Sequence, residues 1–171
     1  IYESSFPADE RNDLIRQRER LKLTDYSFFA AIEDEKVIGV LGEWLFDGFT
    51  FMEHFAIDES RRGKGIGTRF FHEHLEKAKH PVVGEAEHPE MSDFARRRMG
   101  LYMRVGFKAN SYSYIQPPYS PEKNPVSMCM ISFPTLLEKK EYETIRDIIH
   151  LRAYGQKKPL LKFVQRLSHF L

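Results

Sequence analysis

Cysteine is almost absent: Cys129 is the only one in 171 residues. That excludes a disulfide framework, and a reducing, cytoplasmic setting is expected. No charge of one sign dominates, since 26 Lys and Arg stand against 25 Asp and Glu for a net +1. A dedicated nucleic-acid binder carries a strong basic excess, so no nucleic-acid partner is expected. No apolar run approaches the roughly 18 residues that cross a bilayer, and the N-terminus has no signal-peptide pattern. A membrane partner is therefore not expected either. Beginning at Ile1 rather than Met is what a trimmed start would give. No internal repeat or low-complexity segment is present. Aromatic residues, by contrast, are plentiful at 13% of the chain. Together with an ordinary hydrophobic share they suit one globular domain over 1–171.

Apolar periodicity and turn signals predict the order of elements. A helix runs from about Pro7 to Lys22, with Phe6 packing at its entry. Strands at Tyr26–Glu33 and Lys36–Phe46 form a hairpin, and Asp47-Gly48 turns the chain into a third strand, Phe49–Ile57. A helix from Gly67 to Lys79 and a short buried strand, Val82–Ala86, follow. Ser92 or Asp93 caps a helix that runs to about Arg104 and stops at Gly106. Strands at Lys108–Ile115 and Val126–Phe133 flank the proline-rich Gln116–Pro125. Thr135 and Glu138 form a capping box for a helix lasting to about Tyr154. Leu160–Leu171, with the lysines before it, is a basic amphipathic stretch. It suits packing on the core or on a homodimer partner more than a membrane surface. The alternation is that of an α/β (α+β) fold: a mixed sheet with helices on both faces and extra C-terminal helices.

The most informative stretch joins the third strand to the helix after it, through Arg62-Gly63-Lys64-Gly65-Ile66-Gly67. A glycine-rich turn opening a helix points free N–H groups and the positive helix end one way, which suits a phosphate. Two nucleotide loops do not fit. Counting from Gly63, both the third glycine of G-x-G-x-x-G and the second of G-x-x-x-x-G-K-[ST] fall on Thr68. What remains resembles (Q/R)-x-x-G-x-(G/A), the pyrophosphate motif of the GCN5-related N-acetyltransferases (GNAT). A second block, Leu101-Tyr102-Met103-Arg104-Val105-Gly106-Phe107, is similar to the L-Y-x-x-x-G-F of the same family.

The resemblance runs from about Ser5 to Phe133. It implies a splayed GNAT-like sheet with a core over about 1–134, and the helical extension over about 135–171 is extra to that core. It also implies acetyl-CoA as acetyl donor, an amine acceptor and no metal. By this resemblance Arg62, Gly63, Lys64, Gly65, Ile66, Gly67 and Thr68 would hold the coenzyme pyrophosphate. The backbone amides of Phe55, Ala56 and Ile57 would pair with its pantetheine arm, and Tyr102 would face its sulfur as a general acid. One departure stands out. Family helices often carry Asn and Ala seven and four residues before this tyrosine, where this chain has Ala95 and Arg98. One pantetheine contact is then missing, and Arg98 is available to a coenzyme phosphate.

The chemistry explains the residue types. An amine with a pKa around 10 must lose a proton before it attacks a thioester. A buried carboxylate with a raised pKa is a suitable acceptor, usually through water. Backbone N–H groups can stabilise the oxyanion that forms. A tyrosine near pKa 10 cannot pass its proton downhill to a thiolate near roughly 8.5, so Tyr102 is expected to act mainly as a hydrogen-bond donor. Two glutamates compete as base. Glu53 comes first, an ionisable group in an apolar central strand, where alternation puts it with Phe51, Phe55 and Ile57 and His54 on the other face. Glu85 comes second, sharing a face with Glu87 where the sheet would splay. An ion pair with one of Arg96–Arg98 is the simpler use of each.

Other groups are weaker candidates. Tyr112, Tyr114 and Gln116-Pro117-Pro118-Tyr119 either line an acceptor pocket or pack on the sheet. His72 and His74, two apart on a helix, point different ways and are not expected to share a metal. Cys129, placed mid-strand, gives no reason for an acyl-enzyme. Direct acetyl transfer to a primary amine of a small molecule or protein is the expected activity. The alternative is a non-catalytic acyl-CoA-binding or sensing module of the same fold.

Overall fold

The computed structural model describes residues 1–156, and the amphipathic stretch Leu160–Leu171 lies outside them. Seven strands form the sheet: β1 (Tyr26–Glu33), β2 (Lys36–Phe46), β3 (Phe49–Ile57), β4 (Val82–Ala86), β5 (Lys108–Ala109), β6 (Tyr114–Gln116) and β7 (Val126–Phe133). Their order is β1-β2-β3-β4-β7-β5, with β6 also paired to β7. Every pairing is antiparallel except β3 with β4. The hairpin turns follow from local chemistry. Gly48 takes φ +84° after Asp47, while Asp34 and Glu35 both accept positive φ to close the tight β1–β2 turn.

The helices are α1 (Tyr2–Ser5), α2 (Leu14–Arg20), α3 (Ile66–Leu75), α4 (Asp93–Arg104) and α5 (Lys139–Arg152). Three elements depart from the expected ones. The helix expected over Pro7–Lys22 becomes a 3-10 turn at Ala8–Glu10 and α2, with the short α1 ahead of Pro7. Pro7 has no N–H for a continuing helix, and Asp13 starts a new one by accepting from the Arg16 N–H at 2.8 Å. The strand expected at Lys108–Ile115 is interrupted, giving β5 and β6. The capping box at Thr135 does not form. Glu138 is the N-cap without a side-chain bond, and Asn110 instead fixes the entry by accepting from the Leu137 N–H at 2.9 Å.

Helices cover both faces of the sheet. Phe71 and Leu75 of α3 and Met99 and Tyr102 of α4 pack with Leu41, Phe55 and Ile131 on one side. Tyr142, Ile145 and Ile149 of α5 pack with Trp44, Phe51 and Met130 on the other. Fully burying such side chains stabilises by about 1.5–3 kcal/mol each, so α5 supplies one of the two helical layers. Because α4 is a regular helix from its Ser92 cap, Ala95, Met99 and Tyr102 share its buried face.

Candidate active site

An irregularity in β3 positions the first carboxylate. Gly42 pairs with His54 and Glu43 with Met52, leaving Glu53 without a partner on β2. This is a β-bulge, which re-aims the side chain it carries. It overturns the expected alternation. Met52, Phe55 and Ile57 share one core layer, whereas Glu53 meets Trp44 of the opposite layer. Glu53 and His54 become close neighbours, with Nδ1 of the histidine 3.6 Å from the carboxylate. On its other edge β3 pairs with β4 only as far as Met52 and Gly84. The two strands therefore part where Glu53 and Glu85 stand. Tyr102, Glu53 and Glu85 line one small cleft there, about 20 Å³ in volume, together with Glu10, Glu87 and Arg98.

The two candidate bases sit in opposite environments. Glu53 accepts from Arg20 Nη1 at 2.5 Å, Trp44 Nε1 at 3.1 Å and the Tyr119 hydroxyl at 2.9 Å. Burial alone would push its carboxyl up, but the Arg20 guanidinium and His54 outweigh burial and hold it well below the usual carboxylate range. Such a group is a poor proton acceptor at neutral pH. Its ion-pair partner is Arg20 of α2, not one of Arg96–Arg98.

Glu85 faces no cation in ion-pair contact among the described residues. It accepts from the hydroxyls of Tyr114 and, at 2.6 Å, Tyr154. Burial pushes its carboxyl up to about 8, against the lowering effect of both phenols and with the charges of Glu53 and Glu10 adding to the rise. Part of the residue still reaches the surface. Burial and the charge of Glu87 raise Glu10 to about 7, with Arg98 opposing. Tyr102 packs edge-on to Phe71 and Phe107, and burial raises its phenol, so it stays protonated and able to donate.

Beside the cleft, and sharing Phe55 and Arg98 with it, lies a groove of about 810 Å³. That is ample for a large ligand. Phe55, Ala56, Ile57, Arg62, Gly63, Gly65, Ile66, Gly67 and Thr68 all line it, whereas Lys64 is exposed and does not. The β3 backbone along Phe55–Ile57 has lost its β4 neighbour and borders the groove. Gly63 and Gly65 take φ +77° and +75°, with open space around each. That conformation favours glycine and leaves the first N–H groups of α3 without helical partners. Gly67 allows a close approach of α4: a Cβ there would sit 3.3 Å from Leu101 Cδ2, and that side chain would have to shift slightly.

The cations of the groove are partly committed. Arg62 is steadied by the Ile57 carbonyl at 3.0 Å and by the Phe94 ring. Arg98, expected to be available to a phosphate, is instead paired with Glu87 at 3.1 Å. Arg97 and Arg104 also line the groove and form no ion pair among the described residues.

Arg20, Tyr154, Arg97 and Arg104 were not singled out from the sequence. Arg20 lies in a charged run with no mark to distinguish it, and Tyr154 is one aromatic at a helix end. Tyr114 and Tyr119, whose surroundings were open between pocket and packing, both reach carboxylates. Cys129 lies 3.1 Å from His88 Nδ1 and does not line the cleft. His74 contacts Glu43 at 2.8 Å, and no group of three His, Cys, Asp or Glu among the described residues could hold a metal.

Comparison with known proteins matches this fold. A GNAT-family protein from Bacteroides thetaiotaomicron superposes with a TM-score of 0.84 at 33% identity, covering 92% of this chain and 89% of the other. A GNAT acetyltransferase from Elizabethkingia anophelis, solved with acetyl-CoA bound, has a TM-score of 0.53 at 17% identity over 70% and 82% of the two chains. The Escherichia coli ribosomal-protein-S18-alanine N-acetyltransferase gives 0.54 at 15% identity over 80% and 83%. These last two share the fold alone. No curated protein matches. The family model described as "Acetyltransferase (GNAT) family" matches residues 1–107, which span the bulged strand, the glycine turn and Leu101–Phe107, and with them the chain belongs to the GNAT family of acetyltransferases.

Proposed function

We propose that this protein transfers an acetyl group from acetyl-CoA directly to a primary amine. The observation that carries the proposal is the junction of groove and cleft: a glycine-lined basic groove runs into a carboxylate cleft that holds Tyr102 and Glu85. Acetyl-CoA would supply the activated thioester. Arg62, with the N–H groups from Gly63 to Thr68, would hold its phosphates, assisted by Arg97 and Arg104. The open backbone of Phe55–Ile57 would receive the pantetheine arm. The acetyl-CoA in the Elizabethkingia structure supports this choice of donor.

Glu85 takes the base role. A carboxyl near 8 has enough proton affinity to draw a proton from an ammonium group, and enough of it is ionised at mildly alkaline pH to act. Glu53, permanently ionised against Arg20, adds to the negative field that draws a cationic amine into the cleft. Tyr102 donates a hydrogen bond to the departing sulfur. The alanine N-acetyltransferase among the fold relatives supports an amine acceptor, and a cytoplasmic setting suits the single free cysteine. The test is a panel of amines assayed for free CoA release, with thermal stabilisation by acetyl-CoA measured alongside. Release with at least one primary amine is expected. The narrowness of the cleft favours a second reading, a non-catalytic acyl-CoA-binding module, and stabilisation without release from any amine would select it.

A further inference from the structure

Glu85 is held from beyond the family match. Tyr114 and Tyr154, which donate to its two oxygens, both follow residue 107, where the match ends. Tyr154 lies two residues past the end of α5, and rigid contacts fix its position. Its N–H bonds the Ile149 carbonyl, the Ala153 carbonyl accepts from Arg20 Nη2 at 2.5 Å, and Gly155 turns the chain at φ +67°. Its ring packs on Tyr119 at 4.9 Å between centroids.

The proton count is informative. A phenol has one proton to donate. That of Tyr119 goes to Glu53 and that of Tyr154 to Glu85, so the two phenol oxygens, 3.4 Å apart, have no proton left to share. Each carboxylate therefore has a phenol donor of its own. Resting on the assignment of Glu85 as base, we propose that Tyr154 is a positioning residue for the reaction: its hydroxyl aims the Glu85 carboxyl and favours the ionised form that accepts the proton.

Other groups face Glu85 from every side. Tyr114 comes from β6, Glu53 from β3 and Glu10 from the N-terminal segment, while Glu87, Arg98 and Tyr102 ring the cleft. The neighbouring glutamates oppose a further negative charge, and the two phenols counter them. Removing one phenol should make ionisation harder.

The test is Tyr154→Phe, which keeps the ring and removes the donor. The rising limb of kcat with pH should move up by roughly one pH unit. Turnover at pH 7 should fall about 10-fold and recover above the new limb, with KM for acetyl-CoA and the melting temperature unchanged. Titration of 13C-labelled glutamate carboxyls should show the same upward move without relying on activity. A limb that stays in place, or an equal loss at every pH, would overturn the role of Tyr154. Glu85→Gln separates the two ideas. If it keeps full turnover, the base assignment fails and this inference with it. If it is inactive while the Tyr154→Phe limb stays put, only the inference fails.

Discussion

The coenzyme groove and the carboxylate cleft adjoin, yet they are built by different means. The groove is mostly local: residues 55–68 contribute a strand end, a glycine turn and a helix start, and much of its shape is backbone. The cleft and the carboxylates at its floor draw on residues far apart in the chain. Arg20 closes α2, Glu53 sits on a bulge, Glu85 is the last residue but one of β4, Tyr119 lies in a loop and Tyr154 follows α5. A site drawn mainly from one segment, with α4 as its second wall, depends on few elements. A site assembled from five depends on every element that brings them together.

Mutations can break that contrast. The largest effect is expected for Glu85→Gln, with kcat lowered by about 10²–10⁴-fold. Glu85 is mostly protonated at neutral pH, so the neutral amide matches it in shape and charge, keeping one phenol bond on its oxygen and offering its N–H to the other phenol, and the protein stays folded. Steady-state kinetics beside a melting curve would show this. Next is Arg20→Met, which strands the Glu53 charge in the interior. Breaking a buried pair costs about 3–5 kcal/mol, read by chemical denaturation. An intact stability would mean that Glu53 is not held by Arg20.

In the groove, Arg62→Glu should weaken acetyl-CoA binding by roughly 10–100-fold while leaving the fold intact, as calorimetry would record. Unchanged affinity would remove Arg62 from the phosphate site. The smallest effect is expected for Tyr102→Phe: turnover slower by up to about 10-fold, with coenzyme affinity nearly unaltered. Equal loss of both would make Tyr102 a packing residue.

The same contrast explains what was legible in the sequence. The bounds of β1–β4 and β7 follow from alternating apolar runs and their turns, and Gly63 to Gly67 reads as a phosphate turn because its chemistry is contiguous. The environments of Glu53 and Glu85 were not legible. Period-two alternation cannot reveal that β2 skips Glu53, since a bulge depends on the partner strand. Nor does any local signal pick Arg20 from its charged run, or Tyr154 from the other tyrosines. Both matter only through contacts 33 and 69 residues away in the chain. Groups whose charge state depends on distant partners are the ones whose surroundings a linear reading misses.

Stability should carry the mark of the two carboxylates in opposite directions. The Glu85 carboxyl, raised from 4.5 to about 8, leaves the folded protein holding more protons than the unfolded chain across that window. Its contribution is full below the ordinary carboxyl range and is lost as pH rises towards 8. Glu53, held low, contributes above that range and loses its contribution in acid. Because the amide mimics the protonated carboxyl and does not titrate, melting temperatures of the wild type and Glu85→Gln should agree best in acid and part as pH rises towards 8, the wild type falling relative to the variant.

The most direct measurement is kcat against pH for one good primary amine, in the wild type and in Glu85→Gln. A limb rising near 8 in the wild type is expected, with only the ionisation of the amine near 10 left in the variant. A limb near 8 that survives in Glu85→Gln would contradict the assignment of Glu85 as the base.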